Sequence, residues 1–83
     1  MTTLLSGRDR AILRAVAAGD AELVLGPGPD LLLGGRCCCD QAAAHRLVRA
    51  GLICPATLGG AGERVAAVIT PEGLSALDAR AAA

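Results

Sequence analysis

The apolar positions of the chain repeat with a helical period in three places and alternate or cluster in short runs between them. Ile12, Leu13, Val16 and Ala17 fall at helical spacing, with Arg8, Arg10 and Arg14 on the other side. Ser6 is a good N-cap, Asp9 completes an imperfect, acidic capping box, and Gly19 is a natural stop, so the spacing predicts a helix over residues 7–18. Residues 21–25 and 31–33 are short apolar runs split by Gly26-Pro27-Gly28-Pro29-Asp30, which must be a loop. Gly34-Gly35 suits a tight hairpin turn, with residues 36–38 as the returning strand. Asp40 then caps a second helix over 41–50, ended by Gly51. Its inner stripe is Ala44, Leu47 and Val48, while Gln41, His45, Arg46 and Arg49 project from the rest of its surface. Residues 52–54 and 64–69 read as paired strands around a glycine-rich loop, with Val65, Ala67 and Ile69 on one face. Thr70-Pro71-Glu72 starts a last helix over about 71–80, anchored by Leu74 and Leu77, with residues 79–83 expected to fray.

Composition narrows this picture. Eighty-three residues make one domain, and 53% of them are hydrophobic, but there is no Phe, Tyr or Trp, so Leu, Val, Ile and Ala must fill the core. Such a core predicts marginal stability or a partner that covers an apolar face. Every cation other than His45 is Arg, and with abundant Ala and Gly this is the composition expected of a GC-rich bacterial genome. The formal net charge is zero, which argues against a strong non-specific nucleic-acid binder but leaves room for a local basic face. No secretory leader and no apolar run of membrane-spanning length is visible, so the expected location is cytoplasmic and the four Cys are expected as thiols or metal ligands rather than disulfides.

The segment His45-Arg46-Leu47-Val48-Arg49-Ala50-Gly51-Leu52-Ile53, the glycine-rich loop, residues 64–69 and Thr70-Pro71-Glu72-Gly73-Leu74-Ser75-Ala76-Leu77 carry a more specific pattern. It resembles the back half of winged helix-turn-helix regulators of the MarR-like and PadR-like groups, mainly over residues 45–77. The resemblance implies an α+β fold with three helices, a β-hairpin wing over about 52–69 and a helix over about 71–80. Short extra strands would replace a regular second helix between Gly19 and Asp40, where the chain departs from that family. It further implies a DNA-binding, transcription-regulator-like protein, not an enzyme, with helix 41–50 as the recognition helix.

On that reading Arg46 or Arg49 meets guanine or phosphate, Gln41 reads adenine, Ala42 and His45 share the contacting face, and Arg64 beside the wing touches a neighbouring phosphate. The reading requires that the guanidinium groups stay free in water. The expected partner is duplex DNA, bound by a homodimer joined through Leu74, Leu77 and Ala81 or through Leu4 and Leu5. A wing without a cation over residues 57–62 suits an alternative, a protein-interaction module without DNA binding. A third reading is a thiol or metal sensor in which Cys37, Cys39, His45 and Cys54 hold zinc; otherwise no cofactor is expected, and the Cys are small core residues. The glycine-rich loops lack a phosphate-loop ending, and no acid-base or nucleophile pair stands out.

Overall fold

The computed structural model describes residues 5–81, with side chains to residue 78. It is an α+β arrangement of three helices and a five-stranded antiparallel sheet: α1 Gly7–Ala17, β1 Ala21–Val24, β2 Asp30–Leu33, β3 Arg36–Cys37, α2 Gln41–Arg49, β4 Ile53–Pro55, β5 Arg64–Ile69 and α3 Pro71–Ala81. Strand order is β3-β2-β1-β5-β4. The β2–β3 hairpin turns through Gly34 and Gly35, both at positive φ (60° and 80°), a conformation that glycine reaches without steric cost.

The middle of the sheet joins the two halves of the sequence. Leu23 of β1 pairs with Leu31 of β2 on one side and with Val65 of β5 on the other. On the far side of β5, Ile53 lies opposite Ile69. The face carrying Ala21, Leu23, Leu31, Ile53 and Ala67 is buried against Ile12, Leu13 and Val16 of α1 and Ala43, Ala44 and Leu47 of α2. With no Phe, Tyr or Trp in the sequence, this core is built from leucine, isoleucine and valine closed by alanines, and Ala43 and Ala44 let α2 sit close to its neighbours.

Three local readings of the sequence change. Ala17 is exposed, and Asp9 takes its place on the inner stripe of α1, only 3% accessible. The Ser6–Asp9 capping box is complete: Ser6 Oγ accepts from the Asp9 N–H at 3.0 Å and Asp9 Oδ2 accepts from the Ser6 N–H at 3.1 Å. Leu74 is 48% exposed, so α3 is anchored by Ala76 and Leu77. Ala81 ends that helix and Leu4 lies outside the described residues.

α3 begins where β5 stops because Thr70 serves both. Its N–H donates to the Leu52 carbonyl (3.0 Å), its hydroxyl donates to the Gly51 carbonyl (2.6 Å), and the same oxygen accepts from the Gly73 N–H (3.0 Å). Gly73 faces the Leu52 carbonyl so closely that a Cβ there would overlap that oxygen and the Ile69 side chain.

Candidate nucleic-acid interface

The N-terminus of α2 is fixed twice. Asp40 accepts from the Ala43 N–H at 3.0 Å and pairs with Arg8 of α1 at 3.1 Å. Those two contacts, the backbone N–H first and the guanidinium second, hold the Asp40 carboxyl below its usual range. At the other end, Gly51 takes φ 79°, while its N–H donates to Val48 and that of Leu52 to Leu47 (both 3.0 Å). This left-handed cap directs the chain straight into β4.

Gln41 does not project as the sequence reading had it. Its Oε1 accepts from the Leu31 N–H (3.0 Å), and its Nε2 donates to the carbonyls of Leu31 and Cys38 (both 2.9 Å). The amide therefore pairs the Leu31 N–H and the Cys38 carbonyl, shares the Leu31 carbonyl with the Cys38 N–H, and has no N–H donor left for a two-bond contact with adenine.

Ala42, His45, Arg46 and Arg49 do share one stripe, at i, i+3, i+4 and i+7. Ala42, Arg46 and Arg49 are exposed and His45 is half-buried. Arg46 is anchored, contrary to expectation: its Nη2 lies 3.5 Å from Asp9 Oδ1. Asp9 Oδ1 accepts no hydrogen bond, so this contact is an electrostatic one over a buried oxygen. Burial is very unequal across the pairs near α2. The side chains are 60% exposed for Arg46 against 4% for Asp9, and 70% for Arg8 against 26% for Asp40. At these two arginine pairs the carboxylate lies beneath and the guanidinium outside, so the cation is the partner presented to solvent; at His45–Asp30 the order is reversed and the carboxylate is the more exposed. His45 Nε2 lies 3.3 Å from Asp30 Oδ1, with Gly28 of the preceding loop against its ring. No ion pair involves Arg49 among the described residues. It stands between a groove bounded by Pro27, Pro29 and His45 and a larger cavity toward α1. Arg64, at the start of β5, is paired with Glu22 at 3.1 Å, both about half exposed.

The zinc set is not assembled. Cys37 and Cys54 belong to β3 and β4, the two edge strands of the sheet, four strand spacings of ~4.8 Å apart, or roughly 19 Å. Among the described residues no three His, Cys, Asp or Glu side chains are placed to share a metal ion. Cys37 and Cys39 are exposed, while Cys38 and Cys54 are half-buried.

Two residues of this surface escaped the sequence reading. Arg8 pairs with a residue 32 positions away, and no local pattern signals that. Asp9 was detectable: it lies three and four residues before Ile12 and Leu13, on the stripe that had to be buried. Comparison with known protein families, curated proteins and solved structures found no match to the chain.

Proposed function

We propose that the chain is a winged helix-turn-helix module that binds duplex DNA through α2, with the β4–β5 hairpin as its wing, in the manner of a small transcription regulator. The observation that carries the reading is the α2 stripe of Ala42, His45, Arg46 and Arg49, on which Arg46 stands outside the buried carboxylate that holds it and Arg49 is exposed with no carboxylate partner among the described residues. An arginine fixed by one carboxylate keeps its remaining N–H donors aimed outward, and rigid donors lose less entropy on meeting phosphate or guanine. β1 ties the hairpin to the rest of the sheet, and in chain order the β2–β3 hairpin occupies the interval in which a winged helix-turn-helix carries its second helix. Gln41 is left out of the contacting set, and Arg8 joins it.

The test is binding to mixed-sequence duplex as salt is raised. Two or three phosphate contacts predict a loss of roughly tenfold to fortyfold between about 50 and 200 mM salt. Arg49→Ala should weaken binding about tenfold with an unchanged circular dichroism spectrum. No retention of the wild type at low salt, or equal affinity of the Arg49→Ala protein, removes the reading.

A second reading, as a protein-interaction module, has its own support. The hairpin loop offers no cation to a phosphate, and it carries Leu58 at 97% exposure.

A further inference from the structure

The cavity between α1 and the C-terminal end of α2 has a volume of about 350 Å³ and opens to solvent. Its walls are Leu5, Leu47, Ala50 and Leu52, and Arg46 and Arg49 stand at it with Asp9 between the helices. At the far end of the β4 strand the hairpin loop presents the opposite shape. Leu58 is the most exposed large hydrophobic residue described, residues 57–62 carry no charge, and the Glu63 carboxylate folds back against Gly59 at the base of the loop.

We propose that the hairpin tip of one copy docks into this cavity of a second copy, with Leu58 as the inserted side chain. The match is apolar to apolar in the middle and opposite in charge at the edge. Leu58 meets the leucine-lined walls, and Glu63 approaches Arg49, which has no carboxylate partner of its own among the described residues. The uncharged tip passes Arg46 without placing a like charge beside it. Glycines on the C-terminal side of Leu58 let the tip adjust as it enters. Knob and cavity are different surfaces, so the contact is heterologous: reciprocal exchange closes a dimer, and one-way docking adds further copies. One inserted side chain and one ion pair make a small contact, so the association is weak and rises with concentration. The proposal does not rest on the nucleic-acid reading, and its test contains no DNA.

Sedimentation of the full chain from about 10 µM to 1 mM should show concentration-dependent association. Leu58→Ser should leave a monomer, with unchanged thermal unfolding because the side chain touches little. Ala50→Trp, at the exposed cap of α2, should fill the cavity and also leave a monomer. Each variant keeps the surface that the other lacks, so mixing them should restore association that neither shows alone. If Ala50→Trp perturbs folding, concentration-dependent methyl shifts of Leu5, Leu47 and Leu52 in the wild type, absent from Leu58→Ser, read the same contact. A wild type monomeric at 1 mM, a Leu58→Ser protein that associates like the wild type, or a mixture that stays monomeric overturns the proposal. Association with methyl shifts confined to Leu74 or Leu77 overturns it as well, in favour of a contact through α3.

Discussion

Gln41 and Arg46 neighbour the same helix surface, yet the structure gives them different work. The three backbone contacts of Gln41 are made at the half-buried end of α2, where water competes poorly. Gln41→Ala takes the partner from the Leu31 N–H and the Cys38 carbonyl, while the Leu31 carbonyl keeps the Cys38 N–H, at about 1–3 kcal/mol, and denaturant melts should show a lower midpoint with an unchanged slope. Gln41→Glu should be worse, because a carboxylate cannot donate to the Leu31 and Cys38 carbonyls. Arg46→Ala should weaken DNA binding on the proposed reading, and it also uncovers the Asp9 oxygen, so about 1–2 kcal/mol of stability should go with it. Arg49→Ala should cost binding without stability, and comparing the two variants by melting and gel shift separates the roles. Asp40 adds a pH dependence. Its folded pKa lies below its unfolded one, so its contribution is present above the unfolded value and lost as pH falls through the folded value. Asp40→Asn keeps a capping oxygen but removes that acid-side slope, which acid titration of the far-UV signal checks.

At the scale of elements, the junction of β4, β5 and α3 is the most constrained. Gly73 is held against the Leu52 carbonyl, the same oxygen that accepts from Thr70. Gly73→Ala must push the first turn of α3 away from the sheet, and a loss of about 2–3 kcal/mol is expected by thermal melting, even though alanine is the better helix former. This junction also shows what a one-dimensional reading can reach. Ser6, Asp40 and Thr70 as caps, Gly19 and Gly51 as stops, and Gly34-Gly35 as a turn were all legible, because each acts on backbone within a few residues. The pairing of β1 with β5 was not, since 42 positions separate Glu22 from Arg64 and several short runs offered equal partners. The inward turn of Gln41 was hidden for the same reason. A glutamine after an N-cap has the same local signature whether strand or solvent lies beside it. Leu58 was visible as a lone leucine among Ala, Thr and Gly, but its exposure depends on where the hairpin points.

At the scale of the molecule, strand order β3-β2-β1-β5-β4 zips the early part of the sequence to the late part along β1 and β5. Neither residues 1–40 nor residues 41–83 keep the central pairing alone, so urea unfolding monitored by helix signal and by a probe on β5 should coincide in one transition. Among the described residues no helix is long and apolar enough to cross a membrane. The edge positions of Cys37 and Cys54 carry a last consequence. A disulfide needs Cα atoms within about 7 Å, and the breadth of the sheet stands between these two thiols. Air oxidation therefore cannot staple one border of a folded chain to the other. Any bridge between those two positions has to run from molecule to molecule, and it would appear on a non-reducing gel as a ladder that dithiothreitol collapses.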